Sequence, residues 1–453
     1  MQSIQLPIHS YNQPSRASAR LVNCYAQQSL GKGPVDLLGA PGIVPHSTPG
    51  DGPGRGLFVM RGVLYAVSGT NLYKIDESGS ETLLGTLPGT GKLQFAGNGT
   101  EIVFSNRYIL SGGTVSEIAD PDLPAVAAIG YVDGYVVYAE TGSQRWGCSD
   151  LYAGSTYSSL DWKQADAYPD DLVTLAVDHR QVVLFGQEST ELWYNTGPQS
   201  DADLFPFQRL SGGFLEYGCL ARLGVCKQDN SVFWLANDRT VRRLSGQTPV
   251  RVSHHGMEEA LAGYSRVDDC EAFAYTWCGH LFCVFRFPTA GACWVFDVTT
   301  GEWHERETYG KTGWNVCDAV ACYGRVYMQN AETGDVGYLS NDYYQEFGGI
   351  LRRSWTYPQV YDTNRPITHA AIVLVAKTGT APIGIVPRVL LEISDDGGNT
   401  WKSLPSRELG RTGEYANVIR WNRLGQARDR VYRMSLDNTA VPLCITDTTL
   451  SIE

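Results

Sequence analysis

Gly62-Val-Leu-Tyr65 is the first copy of the pattern that decides the fold, a turn followed by a short apolar run that ends in an aromatic residue. The aromatic residues of successive copies are 39, 34, 47, 49, 48 and 45 residues apart. A four-stranded propeller blade takes about 40 to 50 residues, so the pattern predicts a β-propeller of about seven blades. Six or eight blades also fit, and a pair of β-sandwiches is the alternative. The other copies are Thr100-Glu-Ile-Val-Phe104, Gly134-Tyr-Val-Val-Tyr138, Arg180-Gln-Val-Val-Leu-Phe185, Asn230-Ser-Val-Phe-Trp234, Gly279-His-Leu-Phe282 and Gly324-Arg-Val-Tyr327.

Composition supports an all-β protein. Charged residues make up only 19% of the 453 residues, whereas glycine occurs 49 times and tyrosine 25 times, a balance typical of turn-rich strand structure. A strand-like run follows the first copy at Asn71-Leu-Tyr-Lys-Ile75, and another follows the sixth at Ala292-Cys-Trp-Val-Phe-Asp297. Glycine-containing turns between such runs form antiparallel hairpins.

Three segments divide the chain. Residues 51–345 carry the repeats and are predicted to form the propeller. Residues 1–50, rich in Pro, Ser and Gly, are expected to form an extended arm that either completes a blade or joins the C-terminal domain. Residues 346–453 contain longer strand-like runs, such as Ala370-Ala-Ile-Val-Leu-Val375, and are predicted to form a separate β-sandwich-like domain.

Charge is distributed unevenly along the chain. The net charge of −12 argues against general adhesion to nucleic acid, which depends on clustered Lys and Arg. From residue 351 onward, 13 Lys and Arg against 10 Asp and Glu leave a net charge of +3, and the rest of the chain carries −15. The C-terminal arginines are candidates for a subunit interface, although pairing within the domain and DNA contact are alternatives. The candidate interface residues are Arg411, Arg420, Arg423, Arg428, Arg430 and Arg433.

Ser394-Asp-Asp-Gly-Gly-Asn-Thr-Trp401 is the sharpest local motif and resembles the Asp-box of sialidases and related propellers. Asp396 can accept backbone N–H bonds across a tight turn, and glycine at position 398 permits a positive φ. Trp401 can anchor the hairpin in a core. Ser394, Asp396, Gly398, Thr400 and Trp401 therefore suit a structural clasp, and the motif does not indicate hydrolysis.

No residue pattern predicts catalysis, a cofactor or a metal. The doublets Asp170-Asp171 and Asp268-Asp269 do not suit a facing acid and base, because neighbouring strand residues point to opposite faces. The 11 cysteines contain no Cys-x2-Cys pair, and His254-His255 has no evident third ligand. Pro88-Gly-Thr-Gly-Lys-Leu93 departs from a phosphate loop and is predicted to be an ordinary loop.

Membrane insertion and secretion are not expected. No apolar run reaches the eighteen or so residues that span a bilayer. The first residues, Met1-Gln-Ser-Ile-Gln-Leu-Pro7, lack the basic and apolar segments of a secretion signal.

Three C-terminal stretches carry a resemblance to a known family: Glu408-Leu-Gly-Arg-Thr-Gly-Glu-Tyr415, Arg420-Trp-Asn-Arg-Leu-Gly425 and Arg428-Asp-Arg-Val-Tyr-Arg433. They resemble the tail hub proteins of short-tailed phages, also called packaged-DNA stabilisation proteins. The order of features along the chain agrees with that family as well. It includes Pro41-Gly-Ile-Val-Pro45 near the N-terminus and Phe185-Gly-Gln-Glu-Ser-Thr-Glu-Leu-Trp193 in the middle of the chain.

The resemblance implies a non-enzymatic virion protein assembled in the host cytoplasm. It implies a homo-oligomer, a hexameric ring or nozzle below the portal–adaptor ring, that binds tail fibres, tailspikes or a needle and retains packaged DNA. Double-stranded DNA would pass through without specific binding. A glycan-binding or sialidase-like propeller is the alternative suggested by the Asp-box, and a monomeric scaffold propeller is a third.

Overall fold

The computed structural model describes residues 2–11, 19–29, 34–50, 52–198, 204–363, 365–436 and 441–452. The described residues are almost entirely strands and turns, which confirms the all-β prediction. The α-helix within them, His255–Gly263, lies between the fifth and sixth blades and starts where the His254 ring accepts the Met257 N–H. No helix in the described ranges has the length and apolarity to cross a membrane.

Seven units of four antiparallel strands form the propeller blades; five are separate sheets, and blades 6 and 7 are parts of larger sheets. At most junctions between blades the first strands contact one another, so the first strands surround the propeller axis. The strands are Gly54–Met60, Val63–Ser68, Asn71–Ile75 and Glu81–Thr86 in blade 1; Phe95–Gly97, Ile102–Phe104, Tyr108–Ser111 and Thr114–Glu117 in blade 2; Val126–Val132, Tyr135–Glu140, Arg145–Asp150 and Ala153–Gln164 in blade 3; Leu172–Asp178, Gln181–Gly186, Thr190–Asn195 and Phe207–Leu215 in blade 4; Val225–Gln228, Ser231–Leu235, Val241–Ser245 and Thr248–Arg251 in blade 5; Glu271–Trp277, His280–Phe287, Ala292–Asp297 and Glu302–Glu305 in blade 6; and Val316–Cys322, Arg325–Asn330, Val336–Ser340 and Gly42–Ser47 in blade 7.

Each copy of the sequence pattern marks the second strand of a blade. In six blades a two-residue turn with positive φ at both positions precedes this strand, as in Arg61-Gly62 (50° and 73°) and Asp133-Gly134 (50° and 98°). Such turns match the right-handed twist of the strands they join. In blade 2 a longer turn takes their place, and the Asn98 side-chain oxygen accepts the N–H groups of Thr100 and Glu101.

The seventh blade takes its outermost strand from the N-terminal segment. Gly42–Ser47 pairs antiparallel with Val336–Ser340, so a strand from before the first blade closes the ring after the last. Ile43 in this strand is fully buried in the cluster that joins blades 6 and 7. The circular arrangement therefore depends on a pairing between residues nearly 300 positions apart.

Two sheets form the C-terminal sandwich, and both include N-terminal strands. Trp355, Tyr432 and Met434 from one sheet pack against Ile372 and Trp421 from the other in a single apolar core. The first sheet has the order Cys24–Gln28, Val35–Gly39, Cys444–Ile452, Ile367–Ala376 and Ile419–Ala427, with Gln2–Ser3 also on Cys444–Ile452; the second contains Leu21–Val22, Arg353–Thr356, Asp429–Leu436, Arg388–Ser394 and Lys402–Ser403, with Val360–Tyr361 on Asp429–Leu436 and Arg407–Glu408 on Arg388–Ser394. Two short strands, Gln345–Glu346 and Gly349–Ile350, lie between the domains.

The N-terminal segment joins the two domains. Leu21–Val22 pairs with the outer strand of blade 6 on one side and with Arg353–Thr356 of the sandwich on the other. The Asn23 amide donates to the Glu307 and Arg352 carbonyls at 2.8 and 2.7 Å. The sequence left open whether the arm completes a blade or joins the C-terminal domain. In the structure the N-terminal segment does both.

Candidate functional site

One end of the propeller axis is filled by protein side chains. Lys92, in the linker between blades 1 and 2, donates to the Cys317 carbonyl at 2.7 Å and lies 3.6 Å from the Asp318 carboxylate. Arg222, in the linker between blades 4 and 5, donates to the Lys92 carbonyl at 3.3 Å and to the Ala127 carbonyl at 3.0 Å. Linkers from nearly opposite sides of the ring therefore meet over the axis and close it at this end.

Electrostatics favour the closed arrangement. Burial disfavours the Lys92 ammonium, but the Asp318 and Glu271 carboxylates outweigh this cost and raise the pKa of Lys92. Burial lowers the pKa of Arg222, whose donors are satisfied by carbonyl groups. The ammonium of Lys92 also lies 5.3 Å from the centre of the Phe273 ring. At this end of the axis, Lys92 and Arg222 therefore form a packed polar plug.

The carboxylate doublets have structural partners. Asp170 accepts the Glu188 and Ser189 N–H groups at 2.7 and 3.0 Å and fixes a turn in blade 4. Asp268 pairs with Arg266 at 2.7 Å, and the Asp269 carboxylate accepts the N–H of Thr289. The doublets lie in the linkers before blades 4 and 6, not in one cleft.

The side chains of the histidine doublet have separate roles, and two of the cysteines, Cys226 and Cys283, contact each other in the core. His254 caps the helix and His255 is exposed beside Glu258. Within the described ranges, no group of three or more His, Cys, Asp or Glu side chains is arranged to hold a metal ion. Burial raises the pKa of most of the cysteine thiols, including Cys270 and Cys317, which is typical of inert core residues.

The Asp-box forms a tight hairpin in the sandwich. The Asp396 carboxylate accepts the Thr400 N–H at 2.9 Å and the Thr400 hydroxyl at 2.5 Å, and the Ser394 hydroxyl donates to it at 2.7 Å. The Gly398 N–H in turn donates to the Ser394 oxygen at 2.8 Å, with φ of 95° at Gly398. The hydrogen bonds from Thr400 and Ser394 lower the pKa of Asp396 to about 2.

Trp401 was expected to lie in the core, but it lies at the surface of the sandwich. Its ring is half-buried and lies under the Arg433 guanidinium, 4.0 Å from the ring centre, because Arg433 is held from the other side by Glu392 at 2.8 Å. The hairpin is therefore fastened by a cation–π contact at the surface of the sandwich.

The six candidate arginines fall into two groups. Arg430 is buried, forms two hydrogen bonds of 2.6 and 2.8 Å to Asp395, and donates to the Leu424 carbonyl at 2.7 Å. Arg433 is partly buried between Glu392 and Trp401. These two residues hold the sandwich together and are not free for a partner.

The remaining arginines, Arg411, Arg420, Arg423 and Arg428, are exposed. Arg420 and Arg423 belong to Ile419–Ala427, the edge strand of the first sandwich sheet, and Arg428 follows it. The nearby acids do not neutralise them, since Glu408 pairs with Arg388 and Glu414 accepts the backbone N–H of Arg411. In the part of the chain that the structure describes, no carboxylate pairs with these four guanidinium groups.

Sequence reasoning missed an apolar feature beside these arginines. Ile383, Tyr415 and Val418 lie on two adjoining loops and are 92%, 76% and 69% exposed. Nothing in their spacing distinguishes them from core residues, because a loop residue's exposure depends on how the two loops pack. The plug at the axis was also missed, since Lys92 and Arg222 are 130 positions apart.

The fold and the sites define a class of protein: a seven-bladed propeller closed by its own N-terminal strand and joined to a β-sandwich, with one end of its axis filled. Family models match both parts. The chain belongs to the bacteriophage P22 Gp10 family, whose β-propeller model matches residues 17–344 and whose β-sandwich model matches residues 353–453. Membership implies a structural role in the phage virion, in the stabilisation of packaged DNA, and suggests a non-enzymatic one.

Solved structures are similar at low identity. The Cps50 (Swd1) β-propeller domain of Myceliophteria thermophila is 9% identical, with 66% of this chain and 99% of that chain covered and a TM-score of 0.41. The Pan2 WD40 domain of Neurospora crassa is 10% identical, with 73% and 97% covered and a TM-score of 0.41. The extracellular domain of BT4673 from B. thetaiotaomicron is 9% identical, with 93% of this chain but only 62% of that chain covered and a TM-score of 0.43. No curated protein matches the sequence.

Proposed function

We propose that this protein is the tail hub or nozzle subunit of a short-tailed phage, a homo-oligomer that attaches below the portal–adaptor ring. The observation that carries the proposal is the match of both domains to the P22 Gp10 family. In this role the subunits form a ring, with six copies expected, and the ring retains packaged DNA and anchors tail fibres, tailspikes or a needle. Assembly takes place in the host cytoplasm before the tail becomes part of the virion.

The filled propeller axis supports a channel built between subunits. Lys92 and Arg222 meet over the axis, which makes the interior of a single propeller a poor candidate for the DNA passage. A passage wide enough for a duplex therefore requires several copies around a common axis.

Charge fits the same role. A net charge of −12 per chain amounts to −72 for six copies, and a channel of that sign lets DNA slide without adhering to the wall. The net charge of +3 in residues 351–453 is too small to reverse this balance. Specific binding of duplex DNA is therefore not expected.

The test is the mass of the purified chain, measured by light scattering with and without purified portal–adaptor complex, together with negative-stain images. A ring that attaches to the adaptor is the expected result. A chain that stays monomeric and ignores the adaptor contradicts the proposal. Binding of the isolated chain to a glycan array would then favour the sugar-binding alternative.

A further inference from the structure

The sandwich loop face consists of Ile383, Arg411, Tyr415, Val418 and Arg420. It combines three highly exposed apolar side chains with two exposed guanidinium groups that have no carboxylate partner among the described residues. Aromatic residues and arginine are the types most enriched at protein interfaces. Exposed apolar side chains gathered in one place mark an interaction surface more often than isolated ones do.

Hydrogen bonds hold this face in a fixed shape. The Thr412 hydroxyl donates to the Ala381 carbonyl at 2.6 Å, and the Thr378 hydroxyl donates to the Glu414 carbonyl at 2.9 Å. The Gly413 N–H donates to the Gly379 carbonyl at 3.1 Å. The two loops therefore support each other, and the exposed side chains are displayed on a prepared surface, which reduces the entropy lost on binding.

A surface of opposite charge lies on the propeller. The blade 4 face is defined here as Asp166, Tyr168, Asp171, Glu188 and Glu216. Tyr168 is 47% exposed, and all four acids are exposed. Asp166 pairs with Arg209 at 3.3 Å, but no Lys or Arg pairs with the other three acids in the described ranges.

The parts of the blade 4 face are adjacent in space. The Gln187 N–H donates to the Asp171 carbonyl at 3.1 Å, which joins the linker before blade 4 to a turn within it. The Thr190 hydroxyl donates to the Tyr217 carbonyl at 2.7 Å, which joins that turn to the segment after the last strand. Asp171, Glu188 and Glu216 therefore share one end of the blade.

We propose that the sandwich loop face of one copy docks on the blade 4 face of a second copy. Both surfaces carry exposed apolar groups. The sandwich loop face presents two guanidinium groups beside the Glu414 carboxylate, whereas the blade 4 face presents three carboxylates that no Lys or Arg pairs with in the described ranges. The inference rests on the proposed function, because it names the contact that builds the oligomer. The two surfaces are different and lie in different domains, so the contact is head-to-tail and repeats from copy to copy until a ring closes.

The test is a pair of charge reversals followed by their combination. R411E/R420E and D171K/E216K each place like charges opposite one another, and each is expected to raise the dissociation constant for self-association about 100-fold. The quadruple variant restores opposite charges and is expected to regain most of the lost association. Sedimentation velocity at two ionic strengths gives the constants, and the wild-type association is expected to weaken with added salt.

Matched controls separate the contact from a general effect of charge. K74E/K402E makes the same charge change at two exposed lysines outside both faces and is expected to associate as the wild type does. Ile383→Ser is a further test and not a control. It removes an apolar side chain that is 92% exposed and is expected to weaken self-association while the fold is retained. Circular dichroism of every variant verifies folding.

Two results would overturn the inference while leaving the proposed function intact. In the first, the wild type forms rings and R411E/R420E forms them equally well. In the second, R411E/R420E still self-associates but no longer binds the portal–adaptor complex, which would mean that the sandwich loop face contacts the adaptor. A wild type that neither self-associates nor binds the adaptor contradicts both proposals.

Discussion

The propeller and the sandwich are built from strands of the same kind, yet they are assembled in opposite ways. Each of the first six blades consists of four consecutive strands, most of them joined by short turns. The sandwich combines strands from before the propeller with strands from after it, as in the pairing of Leu37 with Ile445. The propeller thus depends on local hairpins and one long-range closure, whereas the sandwich depends mainly on long-range pairing and contains few local hairpins.

The sharpest way to test this difference is to weaken the closure of the propeller. Ile43→Ala removes a fully buried side chain from the strand that completes blade 7, and we expect it to cost about 2–5 kcal/mol of stability. Chemical denaturation followed by tryptophan fluorescence measures the loss. Ile383→Ala, which removes the same atoms from an exposed site, is the control and should change stability by less than about 0.5 kcal/mol. Equal effects of the two changes would mean that the closing strand contributes little.

The second prediction concerns the plug at the axis. Lys92→Met leaves the Asp318 carboxylate without its cation and the Cys317 carbonyl without its donor, so we expect a loss of about 2 kcal/mol. Lys92→Met with Asp318→Asn removes both charges and should recover part of that loss. Equilibrium unfolding of the two single variants and the double variant gives the coupling between the side chains. Additive effects would show that the plug is not held by this pair.

The third prediction compares the acid sensitivity of the two domains. Burial and the nearby Arg430 lower the pKa of His369 in the sandwich to about 4, and burial and the nearby Arg306 lower the pKa of His304 in the propeller to about 3. Since an unfolded histidine titrates near 6.5, the unfolded chain binds more protons below that value. Stability should therefore fall as the pH drops from about 6.5 towards 4.

Variants show which domain responds. His369→Gln can keep a hydrogen bond to the Tyr432 hydroxyl, which lies 2.7 Å from the ring nitrogen, but it cannot titrate. The difference in melting temperature between pH 7 and pH 4.5 should be smaller in this variant than in the wild type. His304→Gln is the corresponding variant of the propeller. An unchanged difference in both variants would assign the acid sensitivity to other groups.

The smallest expected effect is at the Asp-box. Asp396→Ala removes the acceptor of the Thr400 N–H and hydroxyl, but the site is exposed at the surface of the sandwich. We expect faster hydrogen exchange at the Thr400 amide with little change in melting temperature. Asp396→Asn keeps one acceptor oxygen and should fall between Asp396→Ala and the wild type. Protection that is unchanged in Asp396→Ala would show that the turn holds without its carboxylate.

The sequence allowed the propeller to be predicted because its signal is local. Each hairpin places its turn and its apolar run within a few residues, so the seven second strands could be located from this residue pattern. For the N-terminal segment the sequence offered two places but not its partner strands, because nothing local identifies Val336–Ser340 and Cys444–Ile452 as its partners. Propensity marks a strand, but the pairing of distant strands is decided by tertiary packing.

The arginines illustrate the same limit for a candidate site. All six look alike in the sequence, where aromatic residues lie among them. In the structure Arg430 forms an ion pair with Asp395 and Arg433 forms one with Glu392, whereas the other four arginines are exposed. Both carboxylates lie more than 30 positions away from their arginines, so composition indicated a cluster but not which members were free.

The closing strand of blade 7 has a consequence for synthesis on the ribosome. Residues 42–47 emerge before any blade, but their partners at 336–340 follow only after almost 300 further residues. At about 5–20 residues per second, that interval is roughly 15–60 s. Throughout it the first strands have no permanent partner, so the nascent chain exposes an unpaired edge that chaperones are suited to shield.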